Sequence, residues 1–109
     1  EIKLTDWEYA GMQDPHLDVA MFIIYAMYDR DSAEKLIDLY FSDGCDQATR
    51  LKIYCYIAVS GLVWSNWCEF KRHCGVEFGA YAQRQYDYAR EYTKIFFKEY
   101  REAFGRDYV

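Results

Sequence analysis

From Cys45 to about Arg72 the chain carries neither proline nor a polar cluster, and residues 53 to 64 are apolar on nearly every side. A pattern this long and this apolar predicts one helix running through the middle of the domain and touching neighbours on several sides. Everything else must fold around it. Its most apolar part, Ile53 to Trp67, is interrupted by Ser60, Gly61, Ser65 and Asn66. That falls short of the ~20 apolar residues of a membrane span, so a buried helix and no membrane partner are expected. Gly61 is the one weak point, since glycine is a poor helix former.

The flanking segments supply what packs against this spine. Ile2-Lys3-Leu4-Thr5-Asp6-Trp7 alternates in polarity, which predicts a short strand. A strand with nothing before it to pair with suggests a piece of a longer protein. Asp14-Pro15 then offers a cap and a first-turn proline for a helix whose stripe is Leu17, Ala20, Met21, Ile24 and Tyr28. Asp29-Arg30-Asp31 ends it, and Asp31 followed by Glu34 resembles a capping arrangement for a shorter second helix with Leu36, Ile37, Leu39, Tyr40 and Phe41 on its inner face. Ser42-Asp43-Gly44 is a turn, and Cys74-Gly75 separates the long helix from a last one, about Phe78 to Phe104, with Tyr81, Tyr88, Tyr92, Ile95, Tyr100 and Ala103 on one face. The expectation is a mainly α fold, a small bundle of about four helices with a short N-terminal strand, forming one domain over residues 1–109.

Composition narrows the function classes. The net charge is −5, which offers no electrostatic footprint for nucleic acid and suits a cationic ligand, or simply solubility. Aromatic residues make up 20% of the chain, enough to build a core and still line a pocket. Cys45, Cys55, Cys68 and Cys74 lack the two-residue gap of a zinc knuckle or redox dithiol, and a corner of Cys68, His73 and Cys74 has no fourth ligand. They are expected to be reduced core thiols, which with no leading signal peptide favours the cytoplasm. No Gly-rich phosphate loop, Gly-x-Ser-x-Gly or His-Glu-x-x-His is present. A self-sufficient catalytic centre is therefore not expected.

Two constellations could still carry chemistry. Asp6, at the end of the expected strand, can hold a hard cation such as Mg²⁺ through oxygen, and strand alternation would point Glu8 to the same side. Carboxylates in that position also commonly face water. Trp64 and Trp67 lie three apart on the long helix, so their rings can form two walls of a hollow, with Tyr81 opening the next helix. Such walls suit a quaternary ammonium ion, at ~2 kcal/mol per desolvated contact. Two Trp on an apolar helix can equally be ordinary core.

Asp6-Trp7-Glu8-Tyr9-Ala10-Gly11-Met12, with Asp14-Pro15 and Asp18 following, resembles the segment after the catalytic loop of bacterial choline kinases. Downstream, Trp64-Ser65-Asn66-Trp67, Glu77-Phe78-Gly79 and Tyr81-Ala82-Gln83 resemble the two helices that line the choline pocket in that family of aminoglycoside-phosphotransferase-like, protein-kinase-like folds. The similarity spans almost the whole chain.

The resemblance implies the carboxyl-terminal, acceptor-binding subdomain of a kinase that moves the terminal phosphate of ATP to choline. Asp6 would match the acidic residue that binds the magnesium of ATP. Glu8 would face the cation of the acceptor, Trp64, Trp67 and Tyr81 would form an aromatic cage, and Tyr9 would close another side. Asp14 and Asp18 would be structural. Such kinases also need an amino-terminal lobe with its ATP-gripping Lys and a catalytic loop with a base Asp and a metal-binding Asn. None of these precedes Glu1, so the chain alone is expected to hold neither ATP nor Mg²⁺ tightly and to transfer no phosphate. Thiamine kinase and aminoglycoside phosphotransferases are alternatives; the Trp pair favours choline. From a different class, the chain could be a non-catalytic helical interaction module that self-associates through exposed apolar surface.

Overall fold

In a computed structural model, residues 1–106 are described and form four α-helices. They are α1 (His16–Tyr25), α2 (Arg30–Tyr40), α3 (Gln47–His73) and α4 (Ala80–Phe104). The fold is a mainly α small bundle. The expected strand at residues 2–7 is not formed, because a strand needs a neighbouring ladder and the described residues contain no other strand. Asp6 instead takes a positive φ of 62° and leads into a turn in which the Ala10 N–H donates to Trp7 O at 2.9 Å.

Side chains set the helix starts. Asp29, rather than the expected Asp31, caps α2 by accepting from Ser32 N at 2.8 Å, and Asp46 caps α3 by accepting from Thr49 N at 2.7 Å. Asp14 accepts from the His16 backbone N–H at 3.0 Å and, through its other oxygen, from Lys52 Nζ at 2.7 Å and the Tyr56 hydroxyl at 2.8 Å. One carboxylate thus fastens the entry to α1 onto α3, which is the structural role expected of it. α1 stops three residues before Tyr28, because Met27 adopts a left-handed φ of 54° and the Tyr28 and Met27 N–H groups turn back to Ile23 O and Ile24 O.

The core is built where α3 meets α1 and α4, with α2 packed against α1. Ile23, Ile24, Ile37, Ile53, Ile57 and Tyr88 are fully buried there. Gly61, expected to be a weak point, is where α4 comes closest: a Cβ at this position would stand 2.6 Å from Gln85 O and 2.9 Å from Tyr88 Cβ. Only a residue without a side chain permits this crossing. α2 is tied to its neighbours by charge, with Arg50 bridging Glu34 and Asp38 and Arg30 reaching Glu99 at 2.6 Å.

The spine is less enclosed than its hydropathy implies. α3 buries one side against α1 and α4, while Val59, Leu62, Val63 and Phe70 remain about half exposed on the other. The thiols differ from expectation too. All four are free, but Cys55 and Cys74 are exposed and only Cys68 is buried. Spacing alone could not tell the inner from the outer face of α3, since both are apolar. Among the described residues no helix is long and apolar enough to cross a membrane.

Candidate aromatic site

The site is assembled from five parts of the chain. Trp64 and Trp67 project from the third quarter of α3, one turn apart, with their rings 5.2 Å between centroids and nearly perpendicular at 77°. Phe78 stands on the connection between α3 and α4, 5.2 Å from Trp67, and Tyr81 opens α4 at 6.2 Å from Phe78. Tyr25, in the last turn of α1, lies 5.6 Å from Trp64, and Tyr9 meets Trp64 edge-on at 6.2 Å. Edge-on and tilted pairs of this kind are the arrangements that the ring quadrupole favours.

These six rings and Glu8 surround an open hollow of about 400 Å³. The structure therefore brings together all five residues expected at a substrate site, Glu8, Tyr9, Trp64, Trp67 and Tyr81. It adds Tyr25 and Phe78, which the sequence reading did not single out. Phe78 precedes Tyr81 by three residues, the same step that separates the two Trp, and that repeat was the available signal. Tyr25 gave none, since it lies off the buried stripe of α1. It is held in place by α4: Gln85 Nε2 donates to Ile24 O at 2.9 Å, and the Tyr88 hydroxyl donates to Tyr28 O at 2.6 Å.

The indoles of Trp64 and Trp67 are half-buried and neither is sealed in the core. Burial pushes the Tyr81 phenol up to about 12, and burial together with the neighbouring Tyr9 raises Tyr25. Both rings stay neutral at physiological pH. Among the described residues Glu8 is the one carboxylate that lines the hollow, beside aromatic rings of a kind that attracts cations. Lys71 Nζ already lies 5.7 Å from the Trp67 ring centroid, a cation using one face of the same indole.

Asp6 is placed elsewhere. It lines a neighbouring hollow of about 440 Å³ with Trp7, Gln13 and Asp18, and Tyr9 is the side chain common to both spaces. The alternation that would have put Asp6 and Glu8 on one side fails because Asp6 has left-handed backbone and the chain turns at Trp7. Among the described residues no three His, Cys, Asp or Glu side chains gather closely enough to hold a metal by themselves. One or two carboxylates are nevertheless what Mg²⁺ takes from protein when substrate phosphates and water complete its octahedron, so the Asp6 hollow fits a shared site.

Fold and site together define a class: a small helical bundle carrying an open, aromatic-walled pocket with one acidic rim residue. The chain is similar to Protein LicA of Haemophilus influenzae strain ATCC 51907 / DSM 11121 / KW20 / Rd, 31% identical over 96 residues that cover 77% of this chain and 34% of the relative. A second Protein LicA from Haemophilus influenzae is likewise 31% identical over 96 residues, covering 77% of this chain and 26% of that protein. The chain thus spans about a third or less of the curated relatives it matches. No family model and no solved structure matches it.

Proposed function

We propose that this chain is the acceptor-binding part of a choline kinase, the site where the choline cation is held while its hydroxyl receives the terminal phosphate of ATP. The observation that carries this is the hollow of six aromatic rings with Glu8 at its rim. A trimethylammonium group has no hydrogen to donate, so ring faces and a carboxylate at longer range are the partners that suit it. The motif resemblance of the chain and its similarity to Protein LicA support the same reading.

Within that reading, Trp64, Trp67 and Tyr81 cage the cation, Tyr9 and Tyr25 close the side toward the leading segment, and Glu8 supplies the long-range attraction. Asp6 would hold Mg²⁺ in the adjoining hollow, where the ion would neutralise phosphate charge. Tyr9, shared by both hollows, sets the spacing between acceptor and metal. The chain by itself is expected to bind choline only in the millimolar range, about −4 kcal/mol.

The test is a tryptophan-fluorescence titration with choline and with its uncharged isostere 3,3-dimethyl-1-butanol. Choline should bind and the neutral alcohol should bind far more weakly; Trp64→Ala should abolish the signal from choline, and Glu8→Gln should weaken it. Equal binding of the two alcohols, or choline binding that survives Trp64→Ala, refutes the proposal. Ethanolamine, thiamine and an aminoglycoside in the same titration separate choline from the related acceptors.

The outer face of α3, where Val59, Leu62, Val63 and Phe70 are exposed, favours a second reading, a helical module that associates with its own copies. A clean monomer in light scattering at high concentration counts against it.

A further inference from the structure

Behind the aromatic hollow lies a second one of different character. It measures about 380 Å³ and sits between the last turns of α3 and the first turns of α4. Its wall is mixed: Asn66, Gln83 and Tyr86 bring polar groups, with Gln83 Nε2 already donating to Asp87 Oδ1 at 2.9 Å and Ser65 Oγ to Leu62 O at 2.8 Å, and Glu77 and the Glu69–Arg72 ion pair also line it. Among the described residues, the one side chain that lines both hollows is Phe78.

The position of Phe78 in the chain is unusual. It belongs to the short connection after α3, and that connection contains Gly75 at φ 89° and Gly79 at φ 57°, both in the left-handed region that glycine takes without cost. Gly79 directly follows Phe78 and precedes α4 with no side-chain cap. The ring is half-buried and rests between Trp67 and Tyr81. It is therefore an apolar partition, set between glycine joints, that divides a cation-binding space from a hydrogen-bonding one.

We propose that Phe78 is the residue that sets the size of the acceptor. Its ring confines a small cationic alcohol to the aromatic hollow and shuts off the polar hollow, which is shaped to take the hydroxylated arms of a larger quaternary ammonium ion. This inference rests on the ammonium-site reading given above. Removing the ring joins the two spaces, so that a cation seated between Trp64 and Trp67 extends its arms toward Asn66 and Gln83.

The experiment compares choline with tris(2-hydroxyethyl)methylammonium, a quaternary ammonium with three hydroxyethyl arms, by tryptophan fluorescence on the chain and its Phe78→Ala and Phe78→Leu variants. The chain should prefer choline, and Phe78→Ala should shift the affinity ratio toward the larger ion by at least about tenfold, with Phe78→Leu between. A ratio unchanged in both variants overturns the proposal, because general weakening of the site lowers both affinities alike. Circular dichroism checks that the helices remain, and if Phe78→Ala fails to fold, Phe78→Leu alone decides. Trp64→Ala tells the two failures apart. Choline binding that survives Trp64→Ala removes the ammonium site and the partition with it, whereas binding lost in Trp64→Ala beside an unchanged Phe78 ratio removes the partition only.

Discussion

Replacing Gly61 with alanine measures how tightly α3 and α4 are pressed together. In an exposed helix this change is favourable by about 1 kcal/mol, since alanine loses less backbone freedom. Here the new Cβ would stand 2.6 Å from the Gln85 carbonyl oxygen, a backbone atom that cannot swing aside. Ordinary carbon to oxygen approach is about 3.3 Å, so the helices must part by roughly 0.7 Å. A gap of that size forfeits about a quarter or more of the dispersion contacts of a buried side chain, on the order of 1 kcal/mol each. Gln85, Tyr88 and Tyr92 are the buried residues of α4, which gives a loss of about 3 kcal/mol. The net destabilisation is about 2 kcal/mol, inside the usual range for overpacking. In urea, with a slope of ~1–3 kcal/mol/M, the unfolding midpoint should fall by about 1 M. A midpoint that stays put or rises would show that the crossing yields freely, and the close approach would lose its meaning.

The remaining predictions concern charge, caps and surface. The Lys52 ammonium, the His16 backbone N–H and the Tyr56 hydroxyl hold the Asp14 carboxyl well below the usual carboxylate range. Its contribution to stability is therefore present above the unfolded carboxyl value near 3.8 and is lost as pH falls below it; Asp14→Asn should lower the urea midpoint at neutral pH and flatten its decline between about pH 5 and pH 2, and an equally steep decline in the variant would refute the assignment. Asp46→Ala should lower the midpoint and Asp46→Asn should largely restore it, because the cap needs a side-chain oxygen for Thr49 N; equal losses in both would point to charge instead. Val59→Lys with Leu62→Lys, on the exposed side of α3, should leave stability within about 0.5 kcal/mol while reducing any self-association seen by light scattering, and a large loss of stability would show that this face is covered.

How much could be read beforehand follows from which signals are local. All four helices were legible because their apolar steps and turn residues are local, and the start at Asp14 followed from cap chemistry, whereas the cap at Asp46 emerged only from the structure. The ends were less so. The shift from Asp31 to Asp29 depends on which residue adopts extended backbone, and the early stop of α1 depends on Met27 entering a conformation that methionine rarely takes. The opening strand failed because pairing is a property of a partner and alternation is a property of one segment. At the site, the three-residue step placed Trp64 and Trp67 on one surface, and the motif resemblance singled out Glu8, Tyr9 and Tyr81. What could not be read was the path of the chain around Asp6, which moved that carboxylate into a separate hollow. Tyr25 and Phe78 needed the tertiary crossing of α1, α3 and α4 before their rings had neighbours.

The anchoring by Asp14 has a mechanical consequence. Residues 1–13 lie on the exterior, and the hydrogen bonds of the turn at Trp7 and of the Trp7 indole to Leu4 O stay within the segment. Its first side-chain hydrogen bond to the helices comes at Asp14, and Tyr9 reaches the bundle through its ring edge on Trp64 and its nearness to Tyr25. In the proposed site, any conformational freedom the segment gives up on binding costs entropy, so a crosslink fixing Tyr9 beside Tyr25 should tighten the grip without adding a single contact.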